Sequence, residues 1–370
     1  MKKTIVVTCD FYPSVGGVSN YWASLGRHMS SEQWIVFAPP LPPGVGERAT
    51  PYRIYRGRFL SRYIYPRWLP LFFSLTRILA QEHVEMIIVG QILPVGTVVS
   101  LVSRLFRIPY IVSTHGMDIT LPLRTKRKTE LCKWILAQAH SVLTVSHYTS
   151  LRLQELGVSL GKIMYLYPCP SVLPDKMYQD RHGAHRERSK EKILLTVSRL
   201  VQRKGHEYVL RALAALRDTT PPLIYVIVGD GPYRDSLQSL TRTLGLNDRV
   251  VFTGLLHERA VIQWYQKCDI FIMTPYDVDG DVEGFGTVYL EANAFEKPVI
   301  ASRSGGVEDA VIHEQTGLLV EPQDPAAIRE AITRLTRDPE FALRLGRMVR
   351  QRVEKEFQWK VQAEKLQKLL

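Results

Sequence analysis

The chain has 370 residues, with 48 Lys+Arg against 36 Asp+Glu and a formal net charge of +12. That length suggests two domains. Its 45% hydrophobic and 23% charged residues are ordinary globular composition, which excludes disorder, collagen-like repeats and a disulfide scaffold. The four cysteines, Cys9, Cys132, Cys169 and Cys268, are scattered without a CxxC. They form neither a zinc site by spacing nor a disulfide framework, and a reducing, cytoplasmic setting fits them best. The charge is uneven. Residues 1–180 carry 20 Lys+Arg and 10 Asp+Glu, and the remainder carries 28 and 26. A net +10 half beside a nearly balanced one points to an anionic partner of the first half, nucleic acid or membrane.

The opening Met1-Lys2-Lys3 and its short apolar run stop at Asp10. The run is too short for a signal peptide, so it predicts a buried strand at 4–9. Pro13-Ser14-Val15-Gly16-Gly17-Val18-Ser19 then leads into a helix through Leu25. Gly16 and Gly17 at such a turn let backbone N–H groups approach an anion. The segment is not GxGxxG, and no acidic residue follows a second strand, which argues against a dehydrogenase. After a strand at 34–38, Arg53, Arg56, Arg58, Arg62 and Arg67 interleave with Tyr55, Phe59, Tyr63, Tyr65 and Trp68. Two readings stand: aromatics in a core with arginines outside, or an anionic membrane interface. Residues 86–103 lack charge and approach the length of a membrane span. Gly90, Gln91, Pro94 and Gly96 interrupt them, so a strand at 86–89 and a helix from Pro94 are expected instead. Strands at 110–114 and 141–145 follow, with a second basic cluster, Arg124-Thr125-Lys126-Arg127-Lys128, between them.

Residues 167–192 hold Pro168, Pro170 and Pro174 and then a polar tract with His182 and His185. They read as a linker. Strands at 193–197, 223–228, 250–252, 270–273 and 298–301 make a second series. All these runs are apolar on both faces, as parallel strands covered by helices must be, and the alternation predicts two doubly wound α/β domains. Ser198-Arg199-Leu200 follows the first strand of the second half, and Lys204 precedes a helix at 206–216. Two cations at the carboxyl edge of such a sheet suit a phosphate or diphosphate. Asp281-Val282-Glu283-Gly284-Phe285-Gly286-Thr287-Val288 opens another helix, on which Glu291 falls two turns along. Glu283 and Glu291 are placed to meet two ends of an extended ligand lying across a helix start. Asp277-Val278-Asp279 offers oxygen ligands for Mg²⁺, but an EF-hand fails at Val282 and Val288, and a polar loop without metal is the preferred reading. Residues 349–370 carry Val353, Phe357, Val361, Leu366 and Leu369 at helical spacing and predict one amphipathic helix.

Taken together, these segments resemble the retaining glycosyltransferases of family 4, which have the GT-B fold. The Glu-x7-Glu segment, Ser198-Arg199-Leu200…Lys204-Gly205, Gly229-Asp230-Gly231-Pro232, Gly305-Gly306-Val307 and Thr316-Gly317-Leu318-Leu319-Val320 match in order and spacing. The likeness covers nearly the whole chain and is strongest to the phosphatidylinositol-mannoside mannosyltransferases. It implies an acceptor domain at 1–170, a linker at 171–192, a nucleotide-sugar domain at 193–350 and a helix at 351–370 returning to the first domain. Arg199 and Lys204 would hold the donor diphosphate, Glu283 the transferred sugar and Glu291 the ribose. Gly284, Phe285 and the N–H groups near Gly286, Thr287 and Val288 would line the phosphates. Gly229, Asp230, Gly231, Gly254 and Leu255 would flank the base. Gly16 and Gly17 would face the phosphates, and His115, in Thr114-His115-Gly116-Met117-Asp118, the sugar. The family departs here in two places: Tyr167-Pro168-Cys169-Pro170 stands near the linker, and Glu308-Asp309 follows Gly-Gly-Val.

The implied reaction moves a hexose, best mannose from GDP-mannose, to a lipid-linked or saccharide acceptor, with no metal and no cofactor beyond the nucleotide sugar. A GT-B sugar-nucleotide epimerase is the alternative. A nucleic-acid-binding protein would use the +12 but shows none of the usual motifs. The excess charge therefore points to the acceptor side. Arg58, Arg62, Arg67, Trp68, Arg124, Lys126, Arg127 and Lys128 are the residues expected on an anionic membrane, with the protein peripheral on the inner face of the cytoplasmic membrane.

Overall fold

The structure is a computed structural model that describes residues 2–14, 16–174, 191–218 and 221–370. The chain forms two compact units, Met1–Pro168 with Gln358–Leu370, and Cys169–Phe357. The histidine-bearing part of the linker tract, with His182 and His185, lies outside the described residues.

The first unit is built on seven strands: β1 Thr4–Val7, β2 Trp34–Ala38, β3 Arg53–Arg56, β4 Met86–Val89, β5 Tyr110–Thr114, β6 Ser141–Thr144 and β7 Ile163–Tyr165. They are all parallel in the order β3-β2-β1-β4-β5-β6-β7. Side chains alternate across a strand, so the sheet feeds two cores. Ile5, Val7, Phe37, Ile87 and Val112 face one side. There they meet α2 Leu69–Glu82, α3 Thr97–Phe106 and α5 Lys126–Gln138; α4 is the short Met117–Thr120 and α6 is His147–Glu155. Val6, Val36, Ile88 and Ile111 face the other side, against Tyr21, Trp22 and Leu25 of α1 Gly17–Gly26.

The second unit has six parallel strands: β8 Lys192–Val197, β9 Leu223–Val228, β10 Val250–Gly254, β11 Ile270–Met273, β12 Val299–Ser302 and β13 Leu318–Val320. Their order is β10-β9-β8-β11-β12-β13. Its helices are α7 His206–Ala214, α8 Arg234–Thr243, α9 Glu258–Lys267, α10 Thr287–Ala294, α11 Val307–Ala310, α12 Pro325–Arg337 and α13 Pro339–Glu356. Two Rossmann-like α/β units are thus present, as expected from the alternation of strand and helix.

Three strands were not expected: β3, β7 and β13. Each lies at the edge of its sheet; β3 and β7 are only partly buried, and β13, though apolar and buried, is three residues long. The uncharged 86–103 segment divides into β4 and α3, and among the described residues no helix is long and apolar enough to cross a membrane. The tail departs from expectation too. It is not one helix over 349–370 but α13 followed by α14 Trp359–Leu369. The break falls at Phe357, which is buried against Phe285 with its ring beneath the Arg352 guanidinium. An apolar anchor there serves the second unit, and the chain then restarts on the first. Trp359 meets Tyr21 edge-on at 5.5 Å, and buried Gln362 accepts a hydrogen bond from the Tyr167 amide at 3.2 Å.

Candidate active site

In the second unit the loop after β8 carries Arg199, and a short 3-10 turn, Gln202–Lys204, precedes α7. A buried histidine fastens this loop to the sheet. His206 Nε2 lies 3.0 Å from Ser198 Oγ and its Nδ1 lies 3.1 Å from Tyr225 Oη. Burial, with the Lys204 charge nearby, pushes its pKa down to about 3, so the ring is neutral. Gly229 and Gly231 pack on the same loop. A Cβ on Gly229 would lie 1.9 Å from the Ser198 carbonyl oxygen, and one on Gly231 2.3 Å from that of Leu200. Close backbone approach alone therefore demands glycine at both.

The turn delivers two cations to one carboxylate. Lys204 Nζ donates to Glu283 Oε2, and Arg203 Nη1 reaches the same oxygen at 2.7 Å. Lys204 is only 9% exposed. Arg203 Nε also lies 2.8 Å from Asp281 Oδ1, out of line for a hydrogen bond, so that contact is an ion pair. Burial alone would raise the Glu283 pKa, but the ammonium and guanidinium charges pull it down to about 2. Burial pushes the Lys204 pKa down, against the pull of Glu283. Glu283 is therefore fully ionised and a poor proton acceptor. Arg199 is exposed, and no carboxylate pairs with it among the described residues. Its charge is felt at Lys204, so the loop presents cations beside a carboxylate that is already satisfied.

Glu291 lies elsewhere in character. It is 9% exposed on α10. Its Oε2 accepts from the Tyr265 hydroxyl at 2.9 Å and its Oε1 from the Ser171 amide at 3.4 Å. Tyr265 is wholly buried and stacked on Phe295. Burial pushes the Glu291 pKa up to about 7. Between the glutamates, Gly284 is half-buried and Phe285 is buried against Phe357. Gly286 caps α10 with φ +90° and no side-chain cap, which leaves the N–H groups of Thr287 and Val288 at the helix start. Asp230 turns to Arg234 Nη1 at 3.2 Å and to the Gly231 amide at 2.8 Å. The Gly254 carbonyl accepts from the Gly229 amide at 2.9 Å, and Leu255 beyond it is 77% exposed.

The first unit contributes its own sheet edge. A Cβ at Gly16 or Gly17 would meet nothing within 4 Å, so the space over the start of α1 is open. His115 follows β5. Its Nε2 lies 3.2 Å from Ser113 Oγ, and Tyr21 and Trp22 meet it edge-on at 5.1 and 6.0 Å. Burial pushes its pKa down to about 4, leaving a neutral imidazole. Asp118 Oδ1 accepts from the His115 amide at 2.8 Å. Its Oδ2 is buried with no hydrogen-bond partner among the described residues, and burial pushes the carboxyl up to about 7.

The basic–aromatic series divides. Glu82 gathers Lys3, Arg53 and the Tyr55 hydroxyl, and Phe59 is buried. Arg58, Arg62 and Arg67 are exposed and Trp68 is half-buried. Between them Tyr63 and Tyr65 are 89% and 88% exposed. Arg124, Lys126, Arg127 and Lys128 are exposed, and the last three form the first turn of α5, where no acidic residue stands. The Arg203–Asp281 contact, Tyr265 and His206 were not among the sequence candidates. Only Asp281, two residues before Glu283, hinted at the first, and nothing local marks the others.

A family model described as "Glycosyltransferase Family 4" matches residues 15–169, and one described as "Glycosyl transferases group 1" matches 178–352. A GDP-mannose-dependent alpha-(1-6)-phosphatidylinositol monomannoside mannosyltransferase of Mycolicibacterium smegmatis is 30% identical, over 99% of this chain and 97% of its own. A GDP-mannose-dependent monoacylated alpha-(1-6)-phosphatidylinositol monomannoside mannosyltransferase of Corynebacterium glutamicum is 29% identical, over 100% and 98%. Among solved structures, sucrose-phosphate synthase from Thermosynechococcus elongatus superposes with a TM-score of 0.83 at 24% identity, covering 100% of this chain and 98% of its own. Anabaena HepE, in complex with UDP and glucose, gives 0.80 at 18%, covering 100% and 99%.

Proposed function

The chain belongs to glycosyltransferase family 4, and from that premise we propose that it moves mannose from GDP-mannose to a hydroxyl of a lipid-linked or polysaccharide acceptor, with retention. It is a hexosyltransferase that uses a nucleoside-diphosphate sugar. The GDP-mannose dependence named for the two bacterial relatives supports the choice of donor. The observation that carries the reading is the Arg203–Lys204–Glu283 cluster beside Arg199, with which no carboxylate pairs among the described residues.

Lys204 and Arg199 hold the donor diphosphate and offset the charge that grows as the sugar–phosphate bond breaks. Glu283, ionised and held by two cations, accepts hydrogen bonds from the sugar hydroxyls and fixes the anomeric carbon. Its pKa of about 2 makes it unsuited to take a proton, so the acceptor's proton passes to a leaving diphosphate oxygen. The new glycosidic bond forms on the face from which the diphosphate departs. Catalysis is then positioning plus electrostatics. The N–H groups of Thr287 and Val288, at a helix start with no side-chain cap, add donors for the phosphate. Glu291, near half-protonated at neutral pH, can accept from and donate to ribose hydroxyls. Gly229, Asp230, Gly231, Gly254 and exposed Leu255 border the base. In the first unit, Gly16 and Gly17 offer open backbone to a phosphate, and neutral His115 hydrogen-bonds the sugar. The ionic contacts of Asp281 and Glu283 are with side-chain cations, and the reading needs no metal.

The exposed tyrosines and arginines of residues 58–68 and the cations of α5 are read as contacts to an anionic membrane on its inner face. Cations in a helix's first turn oppose the helix dipole, so they serve something other than the helix. Failure to bind anionic vesicles at low salt would remove this part. The central test is a thermal-shift screen with GDP, UDP and ADP, followed by GDP-mannose turnover in Lys204→Ala. Stabilisation by GDP above the others and a large loss of turnover in a folded variant are expected. A folded Lys204→Ala enzyme with near-normal turnover refutes the assignment. Donor incubated alone that yields an epimer would favour the epimerase instead.

A further inference from the structure

Beneath the loop that carries Arg199 and Lys204 runs a buried chain of hydrogen bonds that the reaction above does not use. Thr196 on β8, Tyr225 on β9 and His206 at the start of α7 are all buried. The Thr196 hydroxyl donates to the Ile272 carbonyl of β11. Thr196 Oγ1 also lies 2.8 Å from Tyr225 Oη, and Tyr225 Oη lies 3.1 Å from His206 Nδ1. At the upper end, His206 Nε2 lies 3.0 Å from Ser198 Oγ, next to Arg199. The chain thus crosses three strands and one helix before it reaches the loop.

A carbonyl oxygen can only accept, and that gives the whole chain one direction. The single Thr196 proton goes to Ile272, so Thr196 accepts from Tyr225. Burial keeps the Tyr225 phenol protonated, and its one proton is now engaged. Tyr225 accepts in turn, so His206 carries its proton on Nδ1. The ring is neutral, which leaves Nε2 as an acceptor for the Ser198 hydroxyl. The opposite order would set the lone pairs of Thr196 Oγ1 and Ile272 against each other in a dry core. Ser198 Oγ has a second acceptor, the Arg199 carbonyl at 3.3 Å, but the Val201 amide serves that carbonyl at 3.0 Å. His206 therefore joins the residue before Arg199 to the helix that follows Lys204. The Lys204 end of the loop is held separately. A Cβ on Gly205 would lie 1.9 Å from the Thr274 carbonyl oxygen, and Glu283 clasps the Lys204 ammonium. At the Arg199 end, the Ser198 and Leu200 amides donate to Val228 and Asp230 at 3.0 and 2.9 Å. Those bonds tie it to β9; the Ser198–His206 bond ties it to α7, and so to Lys204.

We propose that His206 is a positioning residue for sugar transfer: as the Nδ1–H tautomer it closes the loop from Ser198 to α7 and sets the distance between the Arg199 and Lys204 cations that the donor diphosphate spans. The diphosphate part rests on the transferase reading above; the direction of the chain does not. Two measurements on the full chain test it. Long-range proton–nitrogen NMR correlations of the histidine rings at neutral pH show which nitrogen is protonated, with the His206 signal assigned by the shift that Ser198→Ala causes. The Nδ1–H form is expected. In Thr196→Val the Tyr225 proton loses its acceptor and turns to Nδ1, so the Nε2–H form should appear; packing alone would leave the tautomer unchanged. Calorimetric GDP titrations then run a cycle of Ser198→Ala and Arg199→Ala. Each single variant weakens GDP binding about tenfold, and the double variant binds no more weakly than Arg199→Ala, because Ser198 acts through Arg199. Ser198→Thr, which keeps the hydroxyl, retains wild-type affinity. A wild-type Nε2–H tautomer, or losses that add in the double variant, overturns the proposal. Wild type that binds no GDP defeats the donor reading instead, and the chain then stands or falls on the tautomers alone.

Discussion

Glu283 and Glu291 stand eight positions apart around the start of one helix, yet their surroundings drive them in opposite directions. From the ordinary 4.5, one falls to about 2 because two cations outweigh its burial, and the other rises to about 7 because burial outweighs the phenol and amide that donate to it. Both are largely buried, so burial does not separate them. The partners do: Lys204 and Arg203 in one case, Tyr265 and a backbone amide in the other. Spacing fixes where a carboxylate stands, and its neighbours decide which protonation state it holds. A permanently ionised group and a switchable one can do different work.

The largest break in that comparison should come from Lys204→Ala. Turnover is expected to fall about 10²–10³-fold, whereas Glu291→Gln, close to the protonated form it replaces, should change it only a few-fold. Single-turnover and steady-state rates with the same donor check both. Next is Glu283→Gln, which leaves buried Lys204 without its carboxylate, while Arg203 keeps Asp281. Breaking such a pair costs about 3–5 kcal/mol, read as a fall in Tm on the order of 10 °C, and GDP should restore part of it because the diphosphate replaces the lost charge.

The pH dependence sharpens the contrast further. Glu283 contributes stability that is full above pH 4.5 and is lost as pH falls through about 2. Glu291 contributes stability that is full below pH 4.5 and is lost as pH rises through about 7. Each limb is on the order of 3 kcal/mol. Chemical denaturation from pH 3 to 8 should show the rising limb vanish in Glu283→Gln and the falling limb flatten in Glu291→Gln. The smallest effect belongs to Lys128→Glu in α5. Reversing a first-turn cation should stabilise the protein by about 0.3–1 kcal/mol while weakening binding to anionic vesicles. Loss of vesicle binding without any gain in Tm would show that the helix dipole is not what these cations oppose.

The parallel sheets were legible because each central strand is a short run apolar on both faces, such as Met86–Val89 or Ile270–Met273. The edges were not: Arg53–Arg56 is flanked by arginines, and Ile163–Tyr165 is half-buried and three residues long. The glycine, lysine and glutamate positions of the second unit were visible as a pattern, but their ionisation was not. Tyr265 reaches Glu291 from 26 positions away and Ser171 from 120, distances at which periodicity carries no information. Arg203 was not among the candidates, since nothing in the sequence says which of two adjacent cations meets a carboxylate; a 3-10 turn lets both reach Glu283. The tail broke at Phe357 because a helical pattern alone does not say that its two halves serve different cores.

The final helix has a consequence for biosynthesis. Ala363 and Leu366 of Trp359–Leu369 cover the same core as Trp22 and Val6. On the ribosome those early residues are made first, and their cover arrives only after the whole second unit has been translated. At about 5–20 residues per second, the nascent first unit waits roughly 10–40 s with part of its apolar face open. A chaperone acting on this chain would meet that open face, and releasing it would depend on Trp359–Leu369 emerging from the exit tunnel.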